Sequence, residues 1–339
     1  MSTPPNPFYP PQNAWMLSRP MQVGATVNRV IELLRKNFKL FLWIGLAPIV
    51  AEVLLIVPYC LYMSFELQPA RLGSGSAPTP AVVALMVVLI ALLMVAVLFI
   101  YALFETATSW AALQVDAGAE ATASQAWQVA WQHPGRSFWL MILRWLRYVG
   151  PMLAGMLLVG LGAALFTASH EQGGTSVAAF VLIPLAVVVV VGGFVLGVVL
   201  YVADALSNAA SVTEDLTAWQ AIRRSVQLTR GARWRIFGTG ILLYLIVMAF
   251  MMAAEVALLV LIALAAGLSA VVHAGAAAGV VVGVLCALIV LPLFLMALSL
   301  MMAIQPIYQS VIYRDLRRLE PVQDAAMQPG ASFTMPQFR

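Results

Sequence analysis

The chain has 339 residues, 63% of them hydrophobic and only 9% charged, with a mean hydropathy of +0.95 and a formal net charge of +4. Water-soluble domains carry about a quarter charged residues, so a soluble globular fold is excluded and a polytopic membrane protein is implied. The basic residues hug the ends of apolar runs instead of forming a separate domain, which argues against nucleic acid as a partner and for anionic lipid headgroups.

Residues 1–20 (MSTPPNPFYPPQNAWMLSRP) hold six prolines and no apolar signal-peptide core, so they read as a disordered tail, as do residues 321–339 at the other end. Between them, residues 21–320 form the expected transmembrane domain. Residues 25–39 (ATVNRVIELLRKNFK) place Val27, Val30, Ile31, Leu34 and Phe38 on one stripe at helical spacing, with Glu32 within reach of Arg35 or Lys36. An amphipathic helix lying in the membrane interface is expected there. Apolar runs follow at 41–63 and 81–104, each near the 20 or so residues that a membrane-spanning helix needs.

The next two amphipathic segments, TASQAWQVAWQHPGRSFW and TAWQAIRRSVQLTRGARW, both open with a capping box, Thr122 with Gln125 and Thr217 with Gln220. Each breaks at a polar corner, His133-Pro134-Gly135 or Arg230-Gly231, before an aromatic-rich segment (Trp139, Trp145, Trp234) suited to the headgroup boundary. Further spans are expected at about 149–168, 177–203, about 236–268 and 276–304. The fifth reads as one long tilted helix, broken in polarity only by Glu255, and the third as an interfacial stretch carrying Arg144 and Arg147 that continues inward. The runs lack the short alternating pattern of barrel strands. The fold class is therefore an all-α integral membrane protein with six transmembrane helices.

Their layout repeats. Tyr101, Tyr201 and Met301 are 100 residues apart; Glu105, Asp204 and Gln305 keep that register within one residue, and Asp116, Asp215 and Asp315 recur in the same way. Three copies of an amphipathic helix plus two spans (about 22–118, 120–216 and 217–320) are implied, arranged about a pseudo-threefold axis. Of the 18 lysines and arginines, all but Arg71 lie at the N-terminus, before the third and fifth spans, or after the sixth. The positive-inside rule then places both termini in the cytoplasm, with three short loops outside.

Several polar residues need an explanation. Glu52 and Glu255 are the acids deepest in apolar runs, where a charge costs roughly 2.5–3.5 kcal/mol and is expected to face the bundle interior or a wet cavity. Proton coupling and simple helix packing both remain open for them. Glu105, Asp204 and Gln305 sit where the second, fourth and sixth spans end, at the level of Arg144 and Arg147; this group is either a gate or a set of interfacial charges snorkelling to water. Gly193 and Gly197, and then Gly275, Gly279 and Gly283, are four apart and suit close helix packing. Cys60 and Cys286 lie inside apolar runs. His133, His170 and His273 lack metal-ligand spacing, and no nucleophile–base motif is present, so no cofactor or metal and no catalysis is expected.

The lead-ins VNRVIELLRKNFKLFLWIGLAPIV and QAIRRSVQLTRGARWRIFGTGILLYLIV resemble the bacterial six-span glycerophosphoryl diester phosphodiesterase membrane-domain family and its YciC-like relatives, over most of residues 22–320. That resemblance implies a six-span membrane domain. It implies no hydrolase activity, because no soluble phosphodiesterase domain fits in this chain. Mitochondrial carriers share a three-module layout, but their P-x-[DE]-x-x-[KR] signature is missing at Pro48 and Pro151. The expected function is non-catalytic, a scaffold or lipid-associated accessory subunit with a possible membrane-protein partner. The alternative is a transporter of a small solute or lipid.

Overall fold

The computed structural model describes residues 20–71, 80–171, 177–271 and 276–319, and all regular structure among them is α-helical. Helix α1 covers Val23–Lys36, α2 Phe38–Arg71 and α3 Pro80–Asp116. Helix α4 covers Ala123–Gln132, α5 Pro134–Glu171, α6 Val177–Asp204 and α7 Ser207–Glu214. Helix α8 covers Ala218–Leu228, α9 Arg233–Val271 and α10 Ala276–Arg317. Six segments, with α6 and α7 counted as one, are long and apolar enough to cross a membrane. The tails, as well as Gly275, lie outside the described residues.

Local chemistry sets the corners. The Thr122–Gln125 capping box forms: the Gln125 N–H donates to the Thr122 hydroxyl and the Thr122 N–H to the Gln125 side chain, at 3.3 and 3.1 Å. At the second site the Gln220 carboxamide oxygen accepts from both the N–H and the hydroxyl of Thr217. Gly231 takes a φ of +82°, a conformation that favours glycine, in the turn between α8 and α9. No second break follows in α5 or α9. Helix α5 runs unbroken from Pro134, and the 39 residues of α9 reach about 58 Å at 1.5 Å per residue, well beyond a hydrocarbon core of about 30 Å.

The core gathers at one end of the bundle. It is built from α1, the first turns of α2 (Phe41, Ile44) and α9 (Ile236, Leu243), and the last turns of α3 (Leu103 to Leu113), α6–α7 (Val202 to Ala210) and α10 (Ala303 to Leu316). Away from that end the spans present apolar side chains outward, among them Leu54, Val87, Leu157, Val188 and Leu259. This division follows from the solvent. Lipid tails are as apolar as leucine, so burying such side chains against one another inside a bilayer gains little. Where the helices emerge into water the ordinary hydrophobic effect applies and a packed core forms.

Helix α10 is the hub, packing against α1, α2, α3 and α9. Half of its most apolar described stretch is buried (50%), against 6% for α3. The short amphipathic helices dock in cyclic order. Helix α4 packs on α2 and α3, α8 on α5, α6 and α7, and α1 on α9 and α10. Of the expected stripe on α1, Val27 and Val30 are buried against protein together with Thr26 and Leu33, and Leu34 packs against the same core, whereas Ile31 is 45% and Phe38 36% exposed. Glu32 pairs with Lys36 at 2.6 Å and with Arg29 at 3.2 Å, and not with Arg35. Lys36 and Arg29 hold its carboxyl below the usual glutamate range.

Candidate functional site

The residues that end the even-numbered spans converge in a polar cluster between α3, α5, α6 and α10. Arg144 enters it from α5 because it lies seven residues, two helical turns, beyond Ser137, whose hydroxyl hydrogen-bonds Thr106 of α3. Its Nη1 donates to Glu105 Oε2 at 2.5 Å and its Nε to the Tyr148 hydroxyl, one turn along, at 3.0 Å. The Tyr148 ring meets Tyr201 of α6 edge-on, with centroids 5.5 Å apart. The Tyr201 hydroxyl in turn accepts from Gln305 Nε2 of α10 at 2.7 Å.

Arg147, one turn from Arg144, lies 3.2 Å from Asp204 Oδ1. Five of the seven polar residues singled out in the sequence, Glu105, Asp204, Gln305, Arg144 and Arg147, thus share one site. Their exposure differs: the Arg144 side chain is only 3% exposed and that of Asp204 is fully buried, whereas that of Arg147 is 25% exposed and Gln305 is exposed. The Arg147 contact is off hydrogen-bonding geometry, so neither Asp204 oxygen receives a hydrogen bond among the described residues. A buried carboxylate without donors is expensive, and the Arg147 charge is what offsets that cost.

At the edge of this site Glu52 lies close to Tyr101, one turn before Glu105 on α3, while the Tyr101 hydroxyl donates to Met302 Sδ of α10 at 3.9 Å. Glu255 does not join. It is exposed on α9, some 19 residues and about 28 Å along the helix from Ile236 of the core. The expectation that it faces the bundle interior is corrected, because its side chain is exposed.

Sequence reasoning missed Tyr148, whose ring and hydroxyl join two halves of the site; its place one turn after Arg144 was the available signal. It also missed a helix break. The chain leaves helical geometry at Ala205 and Leu206, and the Ser225 hydroxyl of α8 fills the gap. Ser225 Oγ donates to the Ala203 carbonyl at 2.7 Å and accepts from the Leu206 N–H at 3.0 Å. A side chain inserted into the backbone ladder is a recognised cause of such a break. No motif announces it.

Close backbone packing positions α5 and α6 around the site. A Cβ on Gly193 would lie 2.8 Å from the Pro151 carbonyl oxygen, and one on Gly197 2.8 Å from that of Tyr148. Gly155 meets Val190, and Gly45 meets Ser299 of α10, in the same manner, although neither lies in a four-residue glycine spacing. Gly279 and Gly283 fall in α10, but their packing lies outside the described residues. Comparison of the chain with protein-family profiles, curated proteins and solved structures finds no match.

Proposed function

We propose that the chain is a non-catalytic protein of the bacterial plasma membrane, a scaffold or lipid-associated accessory subunit of the six-span membrane-domain type, built from three copies of one module. The observation that carries this reading is how the cluster spends its polar groups. Arg144 is committed to Glu105 and Tyr148, Gln305 to Tyr201, and Arg147 to Asp204. These contacts tie α3, α5, α6 and α10 together, as a packing role requires.

Its orientation puts both termini and the packed end in the cytoplasm. Supporting this, the exposed tryptophans Trp43, Trp131, Trp139, Trp145, Trp219 and Trp234 and nearly all described basic residues gather at that end, as expected of a headgroup boundary facing anionic lipid and the cytoplasm. A membrane-protein partner would dock on the exposed apolar lengths of the spans.

A second reading, a proton-coupled transporter, draws on the buried carboxylate of Asp204, which receives no hydrogen bond among the described residues, and on Glu52, which lies close to Tyr101. Reconstituted protein assayed for proton-linked flux separates the two. The scaffold reading expects no flux in the parent and unchanged folding in Glu52→Gln. Flux in the parent that vanishes in a well-folded Glu52→Gln or Asp204→Asn variant would overturn it.

A further inference from the structure

At the packed end α1 meets the ends of α3 and α10, joining the first and last described helices, and an open cavity of about 300 Å³ lies in this seam. Arg29, Asp116, Arg314, Asp315, Arg318 and Met21 line it. Each aspartate is shared by two guanidinium groups. Asp116 accepts from Arg29 at 2.9 Å and Arg314 at 2.7 Å; Asp315 faces Arg235 at 3.1 Å and accepts from Arg318 at 2.6 Å. Four guanidiniums therefore surround two carboxylates. The one further acid, Glu32 on Arg29, is itself matched by Lys36.

A guanidinium has five N–H donors in a planar fork. Among the described residues Arg314 and Arg318 each use one, on the aspartates, and both side chains remain nearly half exposed. Glu214, at the corresponding end of the fourth span, is likewise approached by two guanidiniums, Arg224 at 3.1 Å and Arg317 at 3.9 Å, and Asp215 pairs with Arg136; in the α1 seam Arg29, Arg314 and Arg318 line an open cavity. A tetrahedral oxyanion flanked by several forked donors is what such a surplus accommodates, and arginine is the residue best matched to phosphate. The height also fits, because Arg235, which holds Asp315, directly follows Trp234, 86% exposed at the proposed headgroup boundary.

We infer that this cavity is a phosphate-binding site, taking the phosphodiester of an anionic lipid headgroup or a free phosphate group. The inference deepens the lipid-associated reading and rests on it. The test uses the full-length protein in nanodiscs of phosphatidylcholine with and without phosphatidylglycerol, and separately with inorganic phosphate against chloride at equal ionic strength. Bound lipid is read by native mass spectrometry and stabilisation by melting temperature, for the parent and for Arg314→Gln, Arg318→Gln and Asp116→Asn.

Each arginine variant should lower phosphatidylglycerol retention about tenfold, the scale of one charge-assisted hydrogen bond. Asp116→Asn, which frees Arg29 and Arg314 from their internal acid, should raise it. Because Arg318 lies at the end of the described chain, its variant should fold even if Arg314→Gln does not. The same pattern with inorganic phosphate, and no retained lipid, identifies a soluble phosphate as the occupant. Equal retention by the parent and all variants overturns the site while leaving a lipid-associated protein. No preference for anionic lipid or phosphate in the parent overturns both.

Discussion

Arg144 of α5 and Glu105 of α3 face each other at 2.5 Å, with only 3% of the arginine side chain exposed. Removing either partner strands a buried charge, which in comparable pairs costs about 3–5 kcal/mol. Glu105→Gln or Arg144→Gln should therefore lower the melting temperature of the purified protein sharply. The double variant Glu105→Leu/Arg144→Met should recover much of the loss. Additive losses in that double-variant cycle would show that the two residues do not act as a pair.

Gly192 and Gly193 are neighbours with opposite surroundings. A Cβ at Gly193 would meet the Pro151 carbonyl at 2.8 Å, whereas one at Gly192 meets nothing within 4 Å. Gly193→Ala should destabilise the α5–α6 pair by about 1–3 kcal/mol through overpacking, and Gly192→Ala should not. Equal melting temperatures for the two variants would reject the close-packing role.

Ser225→Ala removes the hydroxyl that serves both the Ala203 carbonyl and the Leu206 N–H. The Ala203 carbonyl keeps only a longer contact from the Thr229 hydroxyl at 3.4 Å, and leaving the buried Leu206 N–H unpaired costs about 1–3 kcal/mol. Hydrogen exchange should accelerate at residues 205–210 in particular. Unchanged protection there would mean that the break is stable without the serine.

The Asp215–Arg136 pair gives a pH-dependent contribution of known sign. The hydrogen bond from Arg136, and then its charge, hold the Asp215 carboxyl below the ordinary aspartate value. Its stabilising contribution is thus fully present above about pH 4 and is lost as pH falls through the lowered folded value. Because Asp215 is exposed, the contribution is small and salt-screened. Asp215→Asn should lower the melting temperature slightly at neutral pH and low salt, and not at all at high salt or below the lowered value. A large, salt-independent effect would contradict the exposed geometry.

Proposed topology is checked by cysteine labelling from the periplasmic side, which should reach Ser74→Cys and miss Glu120→Cys. Labelling at position 120 would reverse the orientation.

By itself the sequence determined the helical class and the six long apolar segments, because a chain this apolar must satisfy its backbone within helices once in lipid. It also made much of the polar site legible: Glu105, Asp204 and Gln305 share a 100-residue register, and Arg144 and Arg147 lie one turn apart. Only the tertiary structure decided which polar groups meet and which apolar faces are buried. Helical periodicity marks a stripe on α1 without saying whether lipid or protein covers it, and the docked face turned toward Leu33 and away from Ile31. Glu52 and Glu255 look alike as acids in apolar runs, yet one meets Tyr101 across a helix pair and the other stays exposed. The Ser225 insertion and the Gly45–Ser299 approach left no local signal, because each depends on a partner on another helix that only packing brings close.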